Sequence, residues 1–138
     1  MNEQREQKFD LIENNTNAVR AVMTAVESTI GPKGLDTMLV DQFGNVVITN
    51  DGVTILNMME VNHPVARMLI HSINAQQDEV GDGTTTAALM AGEMVVHGLE
   101  QVTKGVPVAQ VLTGLRYGVK EACRLMEQEA VFVGSLDT

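Results

Sequence analysis

The sequence predicts a mostly α-helical fold carrying one β-hairpin. Apolar residues recur at helical spacing in the segments before residue 31 and after residue 64, while only one pair of short β-branched-rich runs brackets a tight turn. The composition is 44% hydrophobic but only 3% aromatic, without Trp, so the core must be aliphatic with Met filling gaps. At 138 residues the chain is one small domain or a piece of a larger one.

Residues 1–10 are polar and are expected to be frayed or extended unless a partner holds them. From about Leu11 to Ile30, the residues Ile12, Val19, Val22, Met23, Val26 and Ile30 define a helical stripe, with candidate N-caps between Asn14 and Asn17. Gly31-Pro32 stops that helix, since Gly suits the position past a C-terminus and Pro cannot continue the ladder. Met38-Leu39-Val40-Asp41 and Asn45-Val46-Val47-Ile48-Thr49 then flank Gln42-Phe43-Gly44, a hairpin signal. A lone two-stranded hairpin is marginal in water, and the sequence offers no other strong strand run. Its partner is expected to be another subunit or a later part of a longer chain.

Asn50-Asp51-Gly52 reads as a turn, followed by a short helix through about Met59. Pro64 suits the first position of a helix running to about Val80, with Val65, Met68, Leu69 and Ile73 expected to face inward. After Gly83 comes a helix rich in small residues, carrying Ala87, Ala88, Met90, Ala91, Met94, Val95 and Leu99, expected to be tightly packed and central. Gly105 ends it and Pro107 starts the last helix, where Val108, Val111, Leu112, Leu115, Val119, Ala122 and Met126 keep the period. The tail from Val131 to Thr138 turns extended in character.

Gly81-Asp82-Gly83-Thr84-Thr85-Thr86 carries the clearest chemical signal. Gly lets backbone approach a ligand, and the first turn of a helix exposes unpaired N–H groups with partial positive charge. Together these suit phosphate. Asp82 would repel a bare phosphate, so a hard cation such as Mg²⁺ is expected between carboxylate and phosphate oxygens. The loop is neither a Walker A motif, lacking its Lys, nor a dinucleotide fingerprint, with Thr86 where the third Gly would stand. A capped, Thr-rich helix start without ligand is the alternative. Gly31-Pro32-Lys33-Gly34 could lie against a nucleotide or be an ordinary helix-ending turn. Asp51 could orient or deprotonate an attacking water beside Asp82, or belong to a common Asp-Gly turn.

Charge narrows the classes further. The net charge of −9 argues against general nucleic-acid binding. Between Leu35 and Glu100 there are nine acids and one base, Arg67, so a polyphosphate there would rely on amides, hydroxyls and a metal. His63, His71 and His97 share no ligand spacing with Cys123, which reads as a small core residue. Arg116, Lys120 and Arg124 form a stripe expected to be solvated. The sequence lacks a membrane-spanning apolar run and a signal-peptide core, and its single Cys permits no internal disulfide, which fits a soluble cytoplasmic protein.

Gly31-Pro32-Lys33-Gly34, Val46-Val47-Ile48-Thr49-Asn50-Asp51-Gly52 and Gly81–Thr86, in this order and at this spacing, resemble the chaperonins, and most closely their thermosome/CCT-like branch. Met38–Asp41 and His63-Pro64 add to the resemblance, which covers about residues 8–130. It implies the N-terminal half of an equatorial ATP-binding domain over residues 1–129, with 130–138 beginning an intermediate domain. It also implies that Ile30, Gly31, Pro32 and Gly52 line the nucleotide, and that Gly83, Thr84, Thr85 and Thr86 hold phosphates. Asp82 would ligate Mg²⁺, and Asp51 would help position the attacking water. The 38–49 hairpin would pair with terminal strands of a neighbouring subunit in a ring, and unfolded proteins would be clients of the full-length family. Family members continue much further, so the sequence is expected to be a partial chain lacking the later catalytic carboxylate, with weak or absent ATPase. A stand-alone helical interaction module without nucleotide remains the alternative.

Overall fold

A computed structural model describes residues 2–131 and divides the chain into two compact units, residues 1–100 and 101–138. In order, the elements are α1 (Asn2–Glu27), β1 (Thr37–Val40), β2 (Val46–Thr49), α2 (Gly52–Met58), α3 (Pro64–Glu79), α4 (Thr84–Thr103) and α5 (Val108–Glu129). The mostly helical class with one antiparallel hairpin is as the sequence predicts.

The core lies in the first unit. Val19, Val22, Met23 and Val26 on α1 meet Ile55 and Leu56 on α2, Ala66, Leu69 and Ile73 on α3, and Ala88 and Val96 on α4. The α1 residues are three or four apart, so they form one stripe on one helix face. α1 packs against α2 and α3, and α2 packs against α3 and β1. Gly92 lets α4 come against α1, because a Cβ there would overlap Met23 Cγ and Sδ.

In the hairpin, Met38 stands opposite Ile48 and Val40 opposite Val46. Successive side chains alternate faces. Leu39 is turned to the core, while Met38, Val40, Val46 and Ile48 are exposed. Asp41 closes the turn: its Oδ1 accepts the amides of Phe43 and Asn45, each at 2.8 Å, and its Oδ2 accepts Asn45 Nδ2 at 2.7 Å. The Asn45 side chain, first among these donors, holds the Asp41 carboxyl below its ordinary value.

Several expectations are corrected. Residues 2–10 are helical, not extended; Glu, Gln and Arg there are good helix formers and prolong a helix nucleated further on. Asn14–Asn17 therefore lie inside α1 and cap nothing, and Thr16 Oγ1 donates back to the Ile12 carbonyl at 2.8 Å. α1 ends at Glu27, three residues before Ile30, in a turn closed by Leu35 N–H to the Ser28 carbonyl at 2.8 Å. Met68 is 71% exposed, and Ala66 takes the inward position in register with Leu69 and Ile73. Met90 is also exposed, while Gly92 and Val96 are buried. The tail residues 132–138 lie outside the described residues.

The second unit contains α5, which begins after Pro107 and ends at Glu129, with Ala130 as its C-cap. Arg124 and Glu121 form a forked ion pair with N–O distances of 2.6 and 3.0 Å. Cys123 is exposed rather than a core residue.

Candidate functional site

Three chain segments far apart in sequence line one open cavity of about 320 Å³ in the first unit: Thr29–Gly31, Asn50–Gly52 and Asp82–Thr86. Each is held by local hydrogen bonding.

The first segment follows α1. Thr29 donates its amide at 3.0 Å and its hydroxyl at 2.8 Å to the Val26 carbonyl, which buries the hydroxyl and closes the helix. Gly34 fits under this turn because a Cβ there would overlap the Thr29 carbonyl oxygen. Ile30 and Gly31 thereby face the cavity, while Pro32 is exposed outside its lining.

The second segment joins β2 to α2. Asp51 N–H donates to Thr49 Oγ1 at 3.0 Å, and Asp51 is the N-cap of α2. Asp51 Oδ2 accepts both the Thr54 amide, at 3.0 Å, and the Thr54 hydroxyl, at 2.6 Å. These donors favour the charged carboxylate. The Thr54 hydroxyl contributes most, burial opposes it next, and with the smaller help of the Thr54 and Val53 amides the Asp51 carboxyl is held below its ordinary value. Gly52 lies directly against α4, since a Cβ there would stand 2.6 Å from Thr85 Oγ1.

The third segment links α3 to α4. Gln76 Nε2 donates to the Asp82 carbonyl at 3.1 Å, and Gly83 N–H donates to Asp82 Oδ1 at 2.6 Å. Gly83 has φ of 72°, a left-handed conformation in which a side chain would be strained. Its carbonyl accepts Ala87 N–H at 2.8 Å, which opens α4. By helix geometry the amides of Thr84, Thr85 and Thr86 precede that first bond, so the helix end offers donors and partial positive charge to an anion.

The lining carries two carboxylates, Asp51 and Asp82, and no Lys or Arg. An anion here would be held by amides and hydroxyls, with a cation between it and the carboxylates. The donor set suits Mg²⁺, which is commonly bound by one or two carboxylates together with phosphate and water oxygens. Among the described residues no three His, Cys, Asp or Glu side chains converge as a closed metal site. A cation at Asp82 would therefore complete its shell with ligand and water.

Of the residues expected from sequence, Ile30, Gly31, Asp51, Gly52, Asp82, Gly83, Thr84, Thr85 and Thr86 are gathered in this cavity. Thr29 and Asn50 line it too and were not foreseen. Their only signal is position, each standing just before a residue that was.

Comparison with known proteins gives a consistent result. The TCP-1/cpn60 chaperonin family model matches residues 22–137. The chain is 45% identical over 123 residues to thermosome subunit beta of Archaeoglobus fulgidus, covering 89% of this chain and 23% of that protein. It is 42% identical over 125 residues to T-complex protein 1 subunit alpha of Tetrahymena pyriformis, covering 91% of this chain and 23% of that one. Among solved structures, it is similar to a group III chaperonin in the open state, with a TM-score of 0.86 and 49% identity over 96% of this chain and 27% of that chain. The chain thus spans about a quarter of the length of these relatives.

Proposed function

The chain belongs to the TCP-1/cpn60 chaperonin family, and from that premise we propose that its three-segment cavity binds Mg-ATP as part of an ATP-dependent protein-folding chaperone. The observation carrying this reading is the meeting of residues 29–31, 50–52 and 82–86 around a helix N-terminus with two carboxylates beside it. Residues 1–129 are then the N-terminal half of an equatorial ATP-binding domain, with 130–138 leading into an intermediate domain.

Bound Mg²⁺ would neutralise phosphate charge and polarise the phosphoryl group. The remaining work falls to the chain. Asp82 would hold the cation. The amides of Thr84, Thr85 and Thr86, with the Thr hydroxyls, hold phosphate oxygens, and Gly83, whose own N–H is taken by Asp82, lets the backbone come close to them. Ile30 and Gly31 form the rim against which the nucleoside lies, and Gly52 keeps α2 close to α4. Asp51, ionised at neutral pH, accepts a hydrogen bond from the attacking water and orients it.

The exposed 38–49 hairpin is the proposed contact with neighbouring subunits of a ring. Its two strands pair with no third strand among the described residues. Unfolded proteins are the proposed clients of the complete subunit, and the cytoplasm its proposed setting. Among the described residues no helix is long and apolar enough to cross a membrane.

Calorimetric titration with Mg-ATP tests the reading. Heat from one site is expected, with affinity lowered about tenfold in Asp82→Ala, the scale of one charged contact. No heat from the unaltered chain would overturn it and favour a nucleotide-free helical interaction module.

A further inference from the structure

We propose that Thr54 is a positioning residue for the nucleotide site: its side-chain hydroxyl fixes the rotation of the Asp51 carboxylate, so that Oδ1 is the oxygen presented to the ligand's attacking water. This rests on the Mg-ATP reading of the cavity. Thr54 is not among the residues lining that cavity, so it acts through Asp51 and not by touching ligand.

The geometry distinguishes this role from simple helix capping. A cap needs only the amide of the third helical residue, and Thr54 N–H already supplies that bond to Oδ2 at 3.0 Å. The Thr54 hydroxyl adds a second, shorter bond of 2.6 Å to the same oxygen. Two donors on Oδ2 hold the carboxylate about its last side-chain torsion, which is otherwise broad. Both belong to one residue on a rigid helical turn, so the carboxylate is set before ligand arrives. The backbone is held from the other side by Asp51 N–H to Thr49 Oγ1. A group oriented in advance loses less freedom when the reacting geometry is assembled. The hydroxyl is also the largest influence keeping the Asp51 carboxyl ionised, so the water meets an acceptor of fixed charge as well as fixed direction.

Thr54→Val removes the hydroxyl and keeps the shape and the capping amide. Thr54→Ser keeps the hydroxyl. The probes are Mg-ADP alone and Mg-ADP with aluminium fluoride, a planar mimic of the transferring phosphoryl group that also engages the in-line water. Both are titrated calorimetrically against the whole chain. Thr54→Val is expected to weaken the aluminium fluoride complex roughly tenfold, the scale of one hydrogen bond to a charged group. Mg-ADP affinity should stay within about twofold, as the lost bond lies away from the diphosphate. Thr54→Ser is expected to restore the difference. Equal weakening of both probes, or no change in either, would overturn the positioning role while leaving the nucleotide reading intact. Failure of the unaltered chain to bind Mg-ADP would overturn both. Circular dichroism of Thr54→Val checks that α2 is retained; if α2 is lost, Thr54→Ala provides the second test. It also removes the hydroxyl and keeps the capping amide, with a better helix former in place of a β-branched residue, and relative to Thr54→Ser it should weaken the aluminium fluoride complex roughly tenfold with Mg-ADP affinity within about twofold. Equal weakening of both probes, or of neither, would likewise overturn the role.

Discussion

Gly52 illustrates how one missing methyl group lets α2 lie against α4 at the edge of the cavity. A Cβ would stand 2.6 Å from Thr85 Oγ1 and 3.4 Å from Thr85 Cα, and Thr85 is short and fixed in the first turn of α4. Gly52→Ala is therefore expected to push α2 from α4, to destabilise by about 1–3 kcal/mol as overpacking does, and to weaken Mg-ATP binding in a titration. Asp51 gives a pH prediction. Its folded carboxyl lies below its unfolded value, so its stabilisation is complete above the unfolded value and is lost as pH falls through the folded one. Relative to Asp51→Asn, the unaltered chain should lose its advantage in urea melts as the pH drops below about 4. The residues that line the cavity were legible from the order of three motifs together, since Asp-Gly and a Thr-rich helix start each also serve as an ordinary turn or cap. Thr29 and Asn50 were not, since one Thr or Asn before a turn carries no signal until the turn is seen to face a cavity.

At the scale of elements, the hairpin and helices α2 and α3 could be placed from turn residues and Pro alone. What periodicity could not settle was which of two adjacent stripes faces inward. Met68 and Ala66 both belong to stripes compatible with Leu69 and Ile73, and hydrophobicity favours Met. Tertiary space favours Ala, because α1 and α3 pack against each other. Likewise, polar residues 2–10 carry no inward stripe, yet propensity and continuity with a nucleated helix suffice to prolong α1. The hairpin yields its own prediction. Val46 and Ile48 are exposed on the face opposite Leu39, so Val46→Lys with Ile48→Lys should leave the circular dichroism unchanged. In sedimentation the double variant should associate less than the unaltered chain. Identical sedimentation would count against the hairpin as the subunit contact.

For the molecule as a whole, the first unit carries its own core, and Ile55 sits in it 1% exposed where α2 meets α1 and α3. Ile55→Ala should cost about 2–5 kcal/mol in a denaturant melt, as buried aliphatic truncations do. The same truncation at exposed Val46 should cost far less, and a reversed order would mean the core is elsewhere. The cavity also bears on how this unit comes apart. Its walls are the end of α1 and the beginnings of α2 and α4, three points between which the chain runs through a hairpin and then through the two helices α2 and α3. An occupant bound there is a thermodynamic linkage between segments that would otherwise open separately. By mass action, ligand at a hundred times its dissociation constant adds about 2.7 kcal/mol against global unfolding. Amide hydrogen exchange should then slow in all three loops together, turning independent fluctuations into one cooperative event.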